Sequence, residues 1–144
     1  MTESSIAEKI REKKKAFLAR EQEIVESAKS LLIDHHVDKI TVAEIAKKAS
    51  IGKGTIYKHF QTKNEILVRI MLDYEKGISV ELKKGLDRAK EGDPGAVSKA
   101  YFESRLANPA DDRLVQKLED KLADAEDVKE PVSYTHLRAH ETMS

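Results

Sequence analysis

The stretch TVAEIAKKASIGKGTIYKHF, residues 41–60, decides the fold of this protein. Thr41 and Glu44 stand three positions apart, which is the spacing of a capping box at the start of a helix. Apolar side chains then recur at the intervals of one helical face, at Val42, Ile45, Ala46 and Ala49. We therefore predict a short helix over residues 42–49.

A second short helix is predicted over Lys53–His59, after a tight turn. Two short helices joined by such a turn have the spacing of a helix-turn-helix. The apolar side of the second helix is essentially Ile56. Its other face carries a bare backbone, a hydroxyl, a phenol and an ammonium, at Gly54, Thr55, Tyr57 and Lys58. A DNA major groove admits an α-helix, and a glycine lets the helix backbone approach the duplex. The pattern favours DNA binding, although many helical hairpins bind nothing.

The flanking segments also predict helices. Apolar residues seven apart mark a helix within residues 17–36, and the basic segment before it, residues 1–16, is either frayed helix or a mobile arm. Thr62 caps a helix predicted to run from Lys63 to about Lys90. Its glycines, Gly77 and Gly85, are weak points because glycine disfavours a helix interior.

Two more helices follow signals that combine a cap with a proline. Asp93 precedes Pro94, and Asn108 precedes Pro109, so each pair places a capping side chain before a proline at the first helical position. The second of these helices is predicted to reach about Ala125. Because no segment shows the alternation of a strand, we expect an all-α protein.

The composition excludes several classes of protein. The 144 residues include no Cys, which excludes disulfide frameworks and thiolate metal sites. No apolar run approaches the roughly 18 residues that span a bilayer. No apolar segment follows the basic residues near the N-terminus, as it would in a signal peptide. We expect a cytoplasmic protein with no cofactor.

The net charge of zero conceals an asymmetry. Residues 1–63 hold 13 Lys and Arg against 9 Asp and Glu, whereas residues 64–131 hold 12 against 16. A basic N-terminal half suits an anionic partner. Ordinary scatter in a charged helical protein would give the same numbers.

The run ITVAEIAKKASIGKGTIYKHFQTKNEIL, residues 40–67, closely resembles the DNA-binding domain of the TetR family of transcriptional repressors. The resemblance covers about residues 20–72, and it is carried by Thr41, Val42, Ile45, Ala46, Ala49, Ile51, Gly54, Thr55, Tyr57, His59, Phe60, Lys63 and Leu67. It implies a three-helix helix-turn-helix domain joined to a helical domain that binds an inducer and dimerises. We therefore expect a homodimeric, ligand-responsive repressor whose partners are operator DNA and an unidentified small molecule.

The resemblance also implies which residues meet DNA bases. The second short helix would lie in the major groove. Its residues Lys53, Gly54, Thr55 and Lys58 would contact bases or the neighbouring backbone.

A second group of residues would hold phosphates. The resemblance assigns Tyr57 and His59 hydrogen bonds to phosphates, and it places Thr41 and Lys63 at helix N-termini, which favour anions. A half-buried Tyr57, and a His59 ring that simply packs beside Phe60, are the alternatives.

Three positions depart from the family pattern. Ser50 stands where the family usually has Gly, and a left-handed backbone there would cost about 1 kcal/mol. Gly52 replaces a capping Ser and is a weaker cap. His36 replaces a common Gly. These departures concern local stability more than function.

Other charged groups have simpler interpretations. Lys47 and Lys48 are expected on a solvated face. The run Lys13–Lys15 could form a minor-groove arm, but a solvated charge run is the favoured interpretation. His35 and His36 are rejected as a metal pair because neighbours on a helix do not face each other.

The end of the chain does not continue the helical pattern. VSYTHLRAHET, within residues 131–144, resembles a translated sequencing adapter, and its two histidines lack a convincing third metal ligand. We expect a helix-turn-helix domain over 1–65, a partial regulatory domain over 66–130 and a non-native tail over 131–144.

The expected truncation has consequences. Two-fold operators need two DNA-binding heads about one helical turn apart. Without the dimer interface, specific binding should be weak, and helices four to six should expose apolar surface.

Two other functions remain as alternatives. A helical adaptor for RNA or protein could use the same hairpin, and it would show no preference for duplex DNA. An enzyme is disfavoured, because the sequence has no glycine-rich phosphate loop after a strand, no Cys nucleophile and no acid pair clustered with a His.

Overall fold

A computed structural model describes residues 3–123 as six α-helices and one 3-10 turn, with no strand in that range. The bounds are Glu3–Asp34 for α1, Val37–Lys39 for the 3-10 turn, Val42–Lys48 for α2, Lys53–Tyr57 for α3, Lys63–Lys90 for α4, Ala96–Leu106 for α5 and Pro109–Ala123 for α6. The predicted all-α class is confirmed. The predicted tail at 131–144 and the predicted helix end at Ala125 lie outside the described residues.

Three predicted helix caps are confirmed. A side-chain oxygen accepts a hydrogen bond from the backbone N–H three residues later at Thr41 (3.1 Å), Thr62 (3.2 Å) and Asn108 (3.3 Å). Each bond satisfies an amide that the first turn of a helix leaves without a partner. The starts of α2, α4 and α6 are therefore set by their own local sequence.

The predicted cap of α5 is wrong. The residue that precedes α5 is Gly95, which makes no side-chain cap, and the first helical residue is Ala96. Asp93 instead accepts a hydrogen bond from the Ala96 N–H through its backbone carbonyl, at 3.1 Å. Gly92 has a φ of 112°, so the chain turns at this glycine after α4, and Pro94 falls in the next turn, which the Asp93–Ala96 hydrogen bond closes before α5 begins.

The basic N-terminal segment is helical. From Glu3 onward, the residues that the sequence leaves open between frayed helix and mobile arm continue directly into α1, which is 32 residues long. The buried side of α1 begins only at Ile24, and Phe17 and Leu18 are about half exposed. The first half of α1 therefore projects from the core.

One hydrophobic cluster joins the helices around the helix-turn-helix. It contains Ile24, Val25, Ala28, Leu32, Ile40, Ile45, Ala46, Ile56, Phe60, Ile66, Leu67, Ile70, Leu114, Leu118 and Leu122. The first turns of α4 and the buried side of α6 thus share a core with α1, α2 and α3. The cluster crosses the boundary predicted at residue 65, and the division into two domains stays a prediction.

α5 packs closely against α4 at a glycine. A Cβ added to Gly85 would lie 2.8 Å from the Cβ of Ala100 and 2.8 Å from the carbonyl oxygen of Ala96. The residue that helix propensity marks as a weak point is therefore a point where the two helices approach closely. Only a residue without a Cβ fits there.

Apolar side chains are exposed on α4 and α5, as predicted. They include Leu72, Val80, Leu86, Phe102 and Leu106. The same prediction is wrong for α6, whose Leu114, Val115, Leu118 and Leu122 are buried. α6 covers the core instead of extending it.

Candidate nucleic-acid interface

The contact between α2 and α3 is buried and closed by a backbone hydrogen bond. Ile45 of α2 and Ile56 of α3 are fully buried where the two helices meet. Between them Ser50 has a φ of 59°, the left-handed conformation that lets the chain turn sharply. The Ile51 N–H donates to the carbonyl of Ala46 at 3.0 Å and closes the turn. With Ile56 directed inward, the opposite side of α3 faces outward.

The outward side of α3 is polar. Lys53, Gly54, Tyr57 and Lys58 are exposed, Tyr57 by 47%, while Thr55 is partly buried. No heavy atom lies within 4 Å of a Cβ added to Gly54. Gly54 is thus not required by packing within residues 3–123. Its missing side chain leaves the backbone open to whatever approaches this face.

Positive charge on the α2–α3 hairpin is not neutralised by the protein. Lys47, Lys48, Lys53 and Lys58 are exposed, and no carboxylate of the described residues forms an ion pair with any of them. An unpaired ammonium keeps its full charge for an external anion. The α2–α3 hairpin therefore carries four such groups.

Lys63 lies at the start of α4, as predicted, and is bound by the protein itself. Its ammonium donates to the carbonyls of Val37 at 3.0 Å and Ile40 at 3.1 Å. These bonds join α4 to the segment that leads into α2. An ammonium has three N–H groups, so one N–H remains for a ligand. Sequence reasoning missed the structural half of this role, because residues 37 and 40 are brought to Lys63 only by folding.

His59 is held inside the protein. Its side chain is 3% exposed, and its ring stacks on Phe17 of α1 with the ring centroids 4.0 Å apart. Its Nδ1 lies 3.2 Å from Oε2 of Glu21. The ring packs beside Phe17, and not simply beside Phe60 as the sequence alternative had it. Little of the ring surface is left for an external ligand.

Glu21 is a junction that the sequence analysis did not find. Its carboxylate accepts from His59 and from Arg69 of α4, and Arg69 also donates to Asp73 at 2.9 Å. Burial raises the pKa of Glu21, but the hydrogen bonds from His59 and Arg69 outweigh it, and the net pKa lies below its ordinary value. Glu21 is therefore ionised at neutral pH and joins α1 to α4 and to His59, two residues after the end of α3.

Side-chain contacts also join α6 to α1, to the 3-10 turn and to α4. Lys29 of α1 donates to Asp111 of α6 at 3.3 Å, and Lys121 of α6 lies 2.5 Å from Asp38 in the 3-10 turn. Tyr74 of α4 donates to Asp112. Burial and that carboxylate raise the pKa of Tyr74 to about 12. These contacts connect α6 to the elements that carry α2 and α3.

Metal and membrane sites find no support in the described part of the chain. No group of three or more His, Asp or Glu in residues 3–123 is arranged to hold a metal ion. Nδ1 of His35 lies 3.1 Å from the carbonyl of Leu31, and Nδ1 of His36 accepts from the N–H of Asp38 at 3.2 Å. None of the described helices is both long enough and apolar enough to cross a bilayer.

Several known proteins are similar to parts of this chain. Residues 24–70 match the family model of the bacterial regulatory proteins, tetR family. The uncharacterized HTH-type transcriptional regulator YxbF of Bacillus subtilis is 31% identical over 62 residues, which are 43% of this chain and 16% of that protein. An uncharacterized HTH-type transcriptional regulator of Mycobacterium tuberculosis is 29% identical over 51 residues, 35% of this chain and 27% of that protein. The aligned regions thus span about a quarter or less of these relatives.

A solved structure shares the fold. A crystal structure described as a tetR family transcription regulator of Shewanella sp. PV-4 superposes with a TM-score of 0.50 at 22% identity. The superposition covers 76% of this chain and 57% of that one. The likeness extends beyond the helix-turn-helix into the helices that follow it.

Proposed function

We propose that this chain, whose residues 24–70 match the family model of the bacterial regulatory proteins, tetR family, is a sequence-specific DNA-binding regulator whose α3 enters the major groove. The observation that carries the proposal is the outward side of α3. It has an exposed phenol at Tyr57 and exposed ammonium groups at Lys53 and Lys58, around a backbone left bare at Gly54. An α-helix fits the major groove, where such donors meet base edges and phosphates.

We assign the residues around α3 to phosphates. The Thr41 hydroxyl accepts from the Glu44 N–H, so its own O–H is free to donate to a phosphate oxygen. The remaining N–H of Lys63 is available in the same way, and Tyr57 has an exposed side chain. Contacts to phosphates set the position of a protein on the duplex but carry no sequence information directly.

We assign His59 a different role from the phosphate contact that the resemblance implies. A side chain that is 3% exposed and bonded to Glu21 has little surface to offer DNA. His59 instead orients the end of α3 against α1. The predicted phosphate contact is the alternative, and it requires the ring to leave its stack on Phe17.

We further propose that the protein acts as a ligand-responsive repressor and works as a homodimer. α6 is tied to the DNA-binding elements through Lys29–Asp111 and Lys121–Asp38. An open cleft between α6, the end of α1 and the start of α4 is lined by Leu32, Val37 and other residues. A small molecule that displaced α6 would act on α1 and the 3-10 turn, and so on the spacing of two heads on an operator.

The test is selection of bound duplexes from a randomised library, followed by fluorescence anisotropy on the selected duplex. Lys58→Gln should weaken binding by tenfold or more, because it removes a charge from the α3 face. Lys76→Gln on α4 is the matched control, since it makes the same exchange at an exposed residue far along α4. Failure to enrich any sequence, or equal losses in both variants, would contradict the proposal. Stronger binding to single-stranded RNA than to duplex DNA would favour the adaptor alternative.

A further inference from the structure

The first half of α1 carries positive charge that α3 does not explain. The basic segment of α1, residues 9–20, contains six Lys and Arg and one Asp or Glu. All of its residues are exposed. From the sequence alone, a solvated charge run is the favoured interpretation of this segment. In the structure, however, the segment is part of a helix that is held beside α3.

That position follows from the contact between α1 and His59, two residues after the end of α3. The ring of Phe17 stacks on His59, and Glu21 bonds to the same ring. Residues 17–21 of α1 are thereby joined to the end of α3. Residues 3–16 continue from this contact as an uninterrupted helix. Fourteen helical residues reach about 21 Å, which matches the length of about six base pairs.

The central cations of this segment are not neutralised by the protein. Within residues 3–123, no carboxylate forms an ion pair with Lys13, Lys14 or Lys15. Some lysines of the second half of the chain do pair, since Lys84 and Lys99 bond to glutamates of their own helices, whereas those at 76, 83 and 90 on α4 form no such pair among the described residues. The unpaired cations of α1 therefore add to the unpaired cations of the α2–α3 hairpin.

We propose that the basic segment of α1 is a second DNA-contacting element, which binds the phosphates that flank the groove entered by α3. The proposal rests on the proposed function, because it takes α3 to lie on duplex DNA. Several unpaired lysines, joined to α3 through His59 and spread along a helix that projects from the core, can follow a phosphate backbone. Such contacts add affinity without adding base specificity.

An anionic lipid surface is the other polyanion that a basic helix can meet. A helix that lies on a membrane needs a continuous apolar face. Here Ile6, Ile10 and Phe17 align along one side, but Lys13 stands three residues after Ile10 and four before Phe17 and so occupies the same stripe. Lys14 and Lys15 point in two further directions, so charge surrounds the helix. The distribution of charge around the helix therefore favours DNA over a lipid surface as the partner of the basic segment of α1.

The experiment uses the full chain and a fluorescent duplex of mixed sequence, about 30 base pairs long, across a series of salt concentrations. Two triple variants are compared, K13Q/K14Q/K15Q on α1 and K76Q/K83Q/K90Q on α4. Both remove three charges from exposed helical lysines, and Gln and Lys have similar helix propensities, so circular dichroism should show both folded. The slope of log affinity against log salt counts the phosphate contacts.

We expect the α1 variant to lose between about 1 and 3 units of slope, at about 0.9 per lost phosphate contact, and the α4 variant to keep the wild-type slope. Equal slopes for wild type and the α1 variant would overturn this inference and leave the proposed function intact. A wild type that does not bind duplex DNA at low salt would overturn both. Binding to phosphatidylserine vesicles that is lost in the α1 variant, with unchanged DNA binding, would assign the segment to lipid instead.

Discussion

Nδ1 of His59 lies 3.2 Å from Oε2 of Glu21, although 38 residues separate the two along the chain. The other oxygen of the same carboxylate accepts from Arg69. One acidic side chain on α1 thus holds both His59, two residues after the end of α3, and the second turn of α4. The orientation of α3 depends on this junction as well as on the apolar core.

Replacing Glu21 by Gln should destabilise the protein by about 1–3 kcal/mol, because hydrogen bonds to a charged group are lost and Arg69 keeps only Asp73 as a carboxylate partner. Urea denaturation measures the loss. Glu23→Gln is the control, since Glu23 is exposed on the same helix and makes only a long ion pair of 3.8 Å with Arg20. A Glu21 variant as stable as the control would show that the hydrogen bonds of Glu21 contribute nothing to the free energy of unfolding.

The hydrogen bonds of Glu21 to His59 and Arg69 also predict how the stability of the protein depends on pH. The folded protein lowers the pKa of Glu21 below its ordinary 4.5, so in acid the unfolded chain binds the extra proton first. The stabilisation is therefore complete above about pH 4.5 and is lost as the pH falls through the folded pKa. The stability gap between wild type and Glu21→Gln, from urea midpoints at pH 3 to 6, should narrow below pH 4.5. A gap that stays constant across this range would contradict the assignment.

Gly54→Ala should separate folding from DNA binding. An added Cβ meets no atom within 4 Å, so the variant should gain about 0.5–1 kcal/mol of stability from better helix propensity. If α3 lies against a duplex, the same methyl should lower DNA affinity by tenfold or more. Urea denaturation and anisotropy measure the two effects on one sample. Unchanged affinity would place the DNA contact elsewhere.

Gly85→Ala should have the opposite effect on stability. Its Cβ would lie 2.8 Å from the backbone oxygen of Ala96, so α5 must move away from α4, at a cost of about 1–3 kcal/mol. Gly77→Ala on the same helix is the matched control, because nothing lies within 4 Å of its added Cβ. Thermal denaturation should lower the midpoint for Gly85→Ala and raise it for Gly77→Ala. Equal shifts would mean that α4 and α5 do not approach as closely as described.

Ser50→Gly should stabilise the turn between α2 and α3. Ser50 has a φ of 59°, which costs a residue with a Cβ about 1 kcal/mol or more. Part of the gain is offset by the greater freedom of glycine in the unfolded chain, so we expect at most about 1 kcal/mol in urea denaturation. Ser50→Ala keeps the Cβ and should gain nothing. Equal gains in both variants would exclude backbone strain as the cause.

The wrong and missing predictions share a physical origin. Asp93 has the local signal of a cap, but the chain needs a glycine turn at that point to bring α5 onto α4, and the helix starts later. Within α4 alone, Gly85 only lowers the helix propensity. Its missing Cβ becomes necessary once α5 packs on α4, because Ala96 and Ala100 occupy the space that a Cβ would take. In each case a distant element outweighed a local preference.

The sequence by itself determined the helices and the helix-turn-helix, because these depend on neighbours. The hydroxyls of Thr41 and Thr62 satisfy amides three residues away, and the spacing of Ile45 and Ile56 sets which sides turn inward. Only the tertiary structure decided that His59 packs on Phe17 and Glu21, and that Lys63 bonds to Val37 and Ile40. Those contacts join residues 23 to 42 positions apart, and no local pattern encodes them, because they form only when the shared core brings α1, α3 and α4 together.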